Sequence, residues 1–90
     1  MALVFNNANV EHGKSHTFTF NQRVTNVTVG IQGYSVKYPN SDNHVRAIDV
    51  NANIASISGQ QVTVTANCVM YDDSKNYAYG SVDITCIAVV

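Results

Sequence analysis

The segment "CVMYDDSKNYAYG", residues 68–80, concentrates aromatic and acidic side chains in a chain of which only 12% of residues are charged. Aromatic rings can lie against the C–H face of a pyranose, while carboxylates and a guanidinium form charge-assisted hydrogen bonds with its hydroxyls. This combination favours carbohydrate binding. The candidate residues are Tyr71, Tyr77 and Tyr79 as rings, Asp72 or Asp73 as acceptor, and Arg46 as donor.

The same residues also have a purely structural interpretation. Tyr71 and Tyr79 can cover the end of a sheet, and Asp72 and Asp73 can form an ordinary solvated turn. Catalysis is disfavoured, because adjacent carboxylates point in different directions and cannot by themselves flank one glycosidic bond. The sequence also lacks a nucleophile elbow and a glycine-rich phosphate loop. We therefore predict a binding protein and not an enzyme.

Metal and thiol chemistry are also disfavoured. His12, His16 and His44 lack the spacing of zinc ligands. The two adjacent aspartates of the loop supply too few oxygens for a calcium site, so no cofactor is predicted. Cys68 and Cys86 fall on inward-facing positions of two strands, too far apart for a disulfide if those strands pair as a hairpin. We predict two buried free thiols.

Alternation of apolar and polar residues indicates the elements that must position these side chains. In "QQVTVTANCVM" and "GSVDITCIAVV" nearly every second residue is apolar, which is the period of a strand with one buried face. No segment has the apolar stripe of an amphipathic helix. We predict one all-β domain over residues 1–90, a mostly antiparallel β-sandwich or small barrel. The predicted strands are residues 16–20, 25–33, 45–55, 61–71 and 77–90, with a possible edge strand at 2–5.

The alternation also assigns apolar residues to each face of the strands. The predicted inward positions are Phe18, Phe20, Val27, Val29, Ile31, Val62, Val64, Ala66, Cys68, Met70, Val82, Ile84, Cys86, Ala88 and Val90. Val69, Ile87 and Val89 fall on the outward phase. If these three side chains share one sheet face, they form an apolar patch that suits an oligomer interface. The alternative is a chain terminus that folds over that face.

The segment "HVRAIDVNANI" breaks the alternation. Val45 and Ala47 share one phase, whereas Ile48 and the apolar residues after it share the other. A β-bulge between Ala47 and Ile48 explains this slip, and bulges often re-aim a side chain beside a site. Arg46 is then expected to point outward, because burial of an unpaired guanidinium is very costly.

Composition excludes several classes of partner. The formal charge is −1, from five basic and six acidic residues, so the chain offers no basic surface for nucleic acid or an acidic membrane. No apolar run approaches the roughly 20 residues that span a bilayer, and "MALVFNNANV" lacks the features of a signal peptide. We expect a soluble chain that stays in the cytoplasm, leaves by an unconventional route, or is already processed.

Several segments, taken in order, resemble the H-type lectin family. They are "FTF", the apolar strand "VTVGIQGY", the segment "NHVRAIDVNANI", a strand ending in "CVMY", the polar loop "DDSKNY" and the last strand "YGSVDITCIAVV". In that family an arginine follows an apolar residue at the start of the middle strand, and an aromatic residue ends the next strand. The resemblance implies that Arg46 is a sugar-binding arginine, Tyr71 the strand-end aromatic residue, and Tyr77 or Tyr79 the loop tyrosine.

The chain departs from the family pattern at several positions. Tyr71 and Cys86 stand where tryptophan is common, and Asp72 stands where the snail agglutinins of the family have histidine. A carboxylate accepts hydrogen bonds where a neutral imidazole can also donate, so the preferred sugar is left open. The amino-terminal loop of the family, which adds an acidic or amide ligand, aligns poorly with this chain, and the candidates for that role here are Asn7 and Asn9.

The resemblance also implies an architecture and a ligand. H-type lectins are six-stranded antiparallel β-sandwiches that assemble as homotrimers, or as hexamers of two trimers. Their sites for galactose or N-acetylgalactosamine lie at the interfaces between subunits. We therefore expect a lectin that acts on galactose- or N-acetylgalactosamine-terminated glycans. The alternative is a structural or assembly module, of a fibre-tip or decoration type, that keeps the sandwich without a sugar site.

Overall fold

The computed structural model describes residues 2–38, 45–72, 74 and 76–90. Within these ranges the chain is all-β, as predicted, and contains no helix long and apolar enough to cross a membrane. His44 and Asp73 lie outside the described residues. The strands are β1 (Leu3–Glu11), β2 (Ser15–Thr19), β3 (Asn26–Ser35), β4 (Val45–Ser58), β5 (Gln61–Asp72), β6 (Tyr77–Tyr79) and β7 (Ser81–Val89).

The strands form two sheets with the hydrophobic core between them. The three-stranded sheet has the order β1–β7–β3. In the four-stranded sheet β5 is central: β4 pairs with one side of it, while β2 and β6 pair with successive parts of the other side. All five strand pairings in the described ranges are antiparallel. The predicted mostly antiparallel arrangement is therefore confirmed.

The last predicted strand, residues 77–90, divides at Gly80 into two strands that belong to different sheets. β6 pairs with β5, and β7 continues in the three-stranded sheet. The N–H of Gly80 donates to the Cys68 carbonyl at 2.9 Å, and its carbonyl accepts from the His12 N–H at 2.8 Å. A Cβ at this position would overlap with the Ser35 carbonyl oxygen. Glycine is therefore required where the chain changes sheets.

The two central strands carry the core. Along β5 and β7 every second residue is buried, in the phase that the alternation predicts. The inner faces of the two sheets meet at these positions, and Phe18 and Phe20 complete the cluster. Val27, Val29 and Val90 pack against it as half-buried residues. The largest fully buried side chains are Phe18, Ile84, Val62, Val64, Val82, Cys68 and Cys86.

Cys68 and Cys86 lie within this core and are free thiols, as predicted. Both are 0% exposed. Burial raises the pKa of each thiol, and for Cys68 a hydrogen bond with the backbone of Gly80 partly opposes that effect. Since the thiolate is the reactive form, neither cysteine is suited to act as a nucleophile at neutral pH.

Edge strands β3 and β4 are less buried than the alternation predicts. Ile31 on β3 pairs in register with buried Ile84, yet it is 42% exposed, so its predicted place in the core is wrong. On β4, Ile48, Ile54 and Ile57 lie opposite buried residues of β5 and are 42%, 36% and 50% exposed. β3 and β4 contact each other across the gap between the sheets. We call the four exposed isoleucines of these edge strands the isoleucine seam.

The apolar patch expected from Val69, Ile87 and Val89 does not form. Val69 belongs to β5 in the four-stranded sheet, whereas Ile87 and Val89 belong to β7 in the three-stranded sheet. Ile87 and Val89 instead lie opposite Phe5 and Leu3 of β1, which are 63% and 61% exposed. The expectation fails because the chain changes sheets before β7 begins.

β1 is longer than the predicted edge strand at residues 2–5. β7 pairs with it along its whole length, from Leu3 to Glu11. Asn6, Asn7 and Asn9 are typical turn residues, but the pairing holds them in an extended strand. Tertiary contacts therefore override the local preference of this asparagine-rich segment.

Candidate functional site

Three tyrosines share one face at the end of the four-stranded sheet. Tyr71 is the penultimate residue of β5 and pairs in register with Tyr77 of β6, while Tyr79 pairs with Val69 two residues along. The ring centroids of Tyr71 and Tyr77 are 5.9 Å apart, and those of Tyr77 and Tyr79 are 6.4 Å apart with an interplanar angle of 7°. Tyr77 and Tyr79 are 57% and 63% exposed. We call Tyr71, Tyr77 and Tyr79 the tyrosine row.

A β-bulge brings Arg46 to the same end of this sheet. Val45 pairs with Asp72 and Ala47 with Tyr71, so Arg46 is the extra residue of the bulge. Arg46 is exposed, as predicted. The predicted position of the bulge, after Ala47, is wrong by one residue: the shift lies between Val45 and Ala47. Alanine fits either face of a strand, so the alternation alone cannot place the slip.

The register sets Arg46 and the tyrosine row across three neighbouring strands. Arg46 precedes the β4 residue that pairs with Tyr71, and Tyr77 follows on the far side of β5. Adjacent strands are about 4.8 Å apart, so the three strands span about 10 Å. The backbone of Arg46 therefore lies within about 10 Å of the backbone of Tyr77.

Asp72 binds the β5–β6 loop and does not lie beside the tyrosine row. It is 6% exposed, and its position alternates with Tyr71 so that the two side chains leave opposite faces of β5. Its Oδ1 accepts hydrogen bonds from the backbone N–H groups of Ser74 and Asn76, both at 2.9 Å, and its Oδ2 accepts from Asn76 Nδ2 at 3.1 Å. Asp72 thus closes the loop between β5 and β6, and the structure does not bring it onto the face of the tyrosine row.

Tyr38 anchors the same loop from the segment after β3. Its hydroxyl donates to the Asn76 carbonyl at 2.9 Å. Desolvation, followed by the nearby charge of Asp72, raises the pKa of the Tyr38 hydroxyl. The hydroxyl therefore stays protonated and keeps its role as donor at neutral pH.

Asn9 lies on the other sheet. Its Nδ2 donates to Asp83 Oδ1 at 2.8 Å and to Ser81 Oγ at 3.1 Å, on the outer face of β1 and β7. Within one chain the structure does not bring Asn9 together with Arg46 and the tyrosine row. Asn7 lies on that same outer face, where its Oδ1 accepts from Thr85 Oγ1 at 2.6 Å.

His12 supports the tyrosine row and was missed in the sequence. β2 and β6 leave a gap beside β5, and the N–H of Cys68 within this gap donates to His12 Nδ1 at 3.0 Å. The imidazole also stacks on Tyr79, with ring centroids 4.7 Å apart and an interplanar angle of 28°. The Nδ1 atom thus satisfies a backbone N–H of β5 that neither β2 nor β6 reaches. Only the gap between two distant strands defines this role, and no local motif signals it.

No metal centre accompanies these residues: in the part of the chain that the structure describes, no group of three histidine, cysteine, aspartate or glutamate side chains is placed to hold an ion. His12 and His16 instead pack against aromatic rings, His12 on Tyr79 and His16 edge-on to Phe18 at 4.7 Å. Arg46 and the tyrosine row can bind a ligand by ring stacking and by hydrogen bonding.

Comparison with protein-family models, with characterised proteins and with solved structures finds no match for this chain. The similarity to H-type lectins therefore rests on the residues quoted above, and the geometry around Arg46 and the tyrosine row has to be interpreted on its own chemistry.

Proposed function

We propose that the protein is a lectin that binds terminal galactose or N-acetylgalactosamine at Arg46 and the tyrosine row. The observation that carries this proposal is the arrangement of two exposed, nearly parallel tyrosine rings with an exposed arginine across three adjacent strands. Few ligands other than sugars combine a flat C–H surface with directional hydroxyls on the scale of one such cluster.

Each group has a defined part in this binding mode. The ring of Tyr77 or Tyr79 lies against the C–H face of the pyranose, and the phenol hydroxyls add hydrogen bonds at its rim. The Arg46 guanidinium donates to the hydroxyls that remain. His12 stacks behind Tyr79, and Asp72 holds the loop that carries Tyr77, so both act by positioning rings and not by contact with the sugar.

The proposal includes self-association as a homotrimer or hexamer, with the sugar sites at subunit interfaces. The isoleucine seam supports it, because four exposed isoleucines on adjoining edge strands leave an apolar surface that a second copy can cover. Ile48 follows Arg46 by two residues, so a subunit docked at the seam lies close to the site. Several weak sites on one body raise avidity for clustered glycans by factors of about 10²–10⁴.

The second candidate function is an assembly module without a sugar site. The same isoleucine seam favours it, since it supplies an association surface that needs no ligand. Retention on galactose-agarose discriminates between the two: a lectin is retained and eluted with free galactose, whereas an assembly module flows through.

The test of the lectin proposal is a glycan array with the wild type and three variants. Arg46→Ala and Tyr77→Ala should each lower the signal from galactose-terminated glycans about tenfold or more, because each removes one of the principal contacts. Arg23→Ala is the matched control: Arg23 is also exposed but lies near the β4–β5 turn at the other end of the sheet. An Arg46→Ala variant that keeps the full wild-type signal on the glycan array would contradict the proposal.

Size-exclusion chromatography with light scattering tests the assembly part separately. We expect a trimer or hexamer for the wild type and a shift to smaller species for Ile48→Ser combined with Ile54→Ser. A monomeric wild type at all concentrations contradicts self-association while leaving sugar binding to be decided by the array.

A further inference from the structure

A groove on the outer face of the three-stranded sheet has no part in the site described above. Its volume is about 670 Å³. It lies on the opposite side of the sandwich from the tyrosine row. We call it the polar groove, and its side chains are Phe5, Asn7, Asn9, Gln32, Asp83 and Thr85.

Glycines and a bulge on β3 open this groove. Gly30 pairs with Thr85 and Gly33 with Asp83, so β3 places no side chain beside either residue of β7. A Cβ on Gly30 would meet nothing within 4 Å, and one on Gly33 would lie 3.8 Å from Asp83 Oδ2. The register shifts between Ile31 and Gly33, which leaves Gln32 unpaired at the rim of the groove.

The polar side chains of the groove are held in place by their neighbours. Asn9 Nδ2 donates one hydrogen bond to Asp83 Oδ1 and one to Ser81 Oγ. The first of these orients the Asp83 carboxylate. Thr85 Oγ1 donates to Asn7 Oδ1 at 2.6 Å, which leaves the Asn7 amide hydrogens and the Thr85 lone pairs for a ligand. Among the described residues no donor reaches Asp83 Oδ2. The groove therefore presents oriented acceptors together with a few donors.

An aromatic ring stands at one end of these groups. Phe5 is 63% exposed and lies two residues from Asn7 and four from Asn9 on the same face of β1. At about 3.4 Å per residue, the distance from Phe5 to Asn9 is about 14 Å along the strand. This length exceeds one pyranose ring, so a single sugar cannot reach both the ring and the carboxylate.

We propose that the polar groove is a second saccharide-binding site, which takes an uncharged oligosaccharide of at least two pyranose units. One sugar stacks on Phe5, and the next gives hydroxyl hydrogens to Asp83 Oδ2 and accepts from Asn7. The lining residues carry one negative charge and none is positive, so acidic sugars are repelled. This site does not depend on Arg46 or the tyrosine row, so it can exist whether or not the lectin proposal holds.

The experiment is an NMR titration of the ¹⁵N-labelled full chain with cellotriose, maltotriose and galactotriose, and with digalacturonate as the acidic counterpart. At least one neutral trisaccharide should shift the amide signals of Asn7, Asn9, Asp83 and Thr85, while digalacturonate should leave them unchanged. The dispersion of the amide signals also reports whether the wild type, and each variant described below, is folded. If none of the three neutral probes shifts these signals, the proposal is overturned.

Paired variants then assign the contacts. Phe5→Ala and Asp83→Asn should each weaken the trisaccharide about tenfold, the cost of one stacking contact or one charge-assisted hydrogen bond. Leu3→Ala, which removes an exposed apolar side chain on the same face outside the groove, should leave the affinity unchanged. Tyr77→Ala should weaken galactose binding at the tyrosine row about tenfold or more and leave the affinity of the polar groove unchanged. Wild-type affinity in both groove variants, or dissociation of an oligomer by Phe5→Ala, would refute a saccharide site here.

Discussion

Ile84 on β7 is fully buried, whereas Ile31, its partner on β3, is 42% exposed. The same contrast separates Val62 on β5 from Ile57 on β4, which is 50% exposed. In each pair the two residues share a face of one sheet, and they differ in whether the strand is central or at an edge. In these two pairs burial therefore follows the position of the strand, although Phe18 on edge strand β2 is buried as well.

The edge strands also carry the irregularities that shape both proposed sites. β4 has register shifts at Arg46 and at Ala55, and β3 has one at Gln32. The central strands β5 and β7 are paired on both sides, which leaves no freedom for an extra residue. The edge strands thus supply the irregular backbone at both candidate sites, while the central strands contribute Tyr71, Asp83 and Thr85 in regular register.

The largest predicted effect is the difference in stability loss between alanine substitutions at a central and at an edge isoleucine. Ile84→Ala should lower the free energy of unfolding by about 3–4 kcal/mol, because it leaves a cavity in the centre of the core. Ile57→Ala should cost about 1 kcal/mol or less, since half of that side chain is already in water. Urea unfolding of both variants measures the difference. Equal losses at high protein concentration would mean that a second copy covers the edge.

A smaller loss is expected at the crossing between the sheets. Gly80→Ala should cost about 2–3 kcal/mol, because the new Cβ overlaps with the Ser35 carbonyl and would lie 2.7 Å from Val36 Cβ. Gly30→Ala on edge strand β3 is the control, with an expected change within about 0.5 kcal/mol. Thermal unfolding of the two variants gives the comparison. A Gly80→Ala variant as stable as Gly30→Ala would contradict the close approach.

Substitution of His12, which fills the gap between β2 and β6 beside β5, should cause a still smaller loss of stability. His12→Ala leaves the Cys68 N–H without its acceptor and should cost about 1–2 kcal/mol. His12→Asn should recover most of that loss, because its side-chain oxygen can accept in place of Nδ1. Hydrogen exchange of the Cys68 amide should accelerate in His12→Ala and not in His12→Asn. Identical exchange rates of the Cys68 amide in the two variants would show that the hydrogen bond to the imidazole does not protect this part of β5 from solvent.

The smallest effect concerns the buried thiols at high pH. Burial raises the pKa of Cys68 and Cys86 in the folded chain above its ordinary value of 9.0. Below that value both states keep their protons and the thiols do not change the stability. Above it the unfolded thiols ionise first, so the free energy of unfolding should fall as the pH rises.

Urea unfolding between about pH 8 and pH 10 measures this slope, and the variant Cys68→Ala/Cys86→Ala should show a shallower one. A thiol-specific reagent gives an independent check: the native chain should react slowly at both cysteines and the unfolded chain at once. Rapid labelling of the native chain would contradict the burial of the central strands.

The central strands are predictable from the sequence because burial on one face imposes strict alternation. β5 and β7 show it without interruption, so their inner residues and both thiols follow directly. The edge isoleucines have the same alternation, but the sequence does not state that the opposite sheet fails to cover them. The passage from β6 to β7 is hidden for a similar reason, since one glycine interrupts an otherwise continuous strand pattern.

The candidate site is predictable only in part. Tyr71 and Tyr77 meet because a short hairpin joins their strands, and a phase slip indicates that Arg46 is turned outward. Asp72 was expected beside them, but alternation turns it to the other face and the loop amides engage it. His12 depends on which strands border β5, and this is fixed only by the complete topology.

The pairing of Ala2 with Val90 determines how the molecule can be attached to a surface. Their backbones exchange two hydrogen bonds, of 3.0 and 2.9 Å, at the end of β7 that is remote from Gly80. The nine residues of β7 set that end about 30 Å from the tyrosine row. A tag or a solid support joined at either residue is therefore held about 30 Å from the tyrosine row, so an immobilised chain keeps its candidate sugar site accessible to the solution.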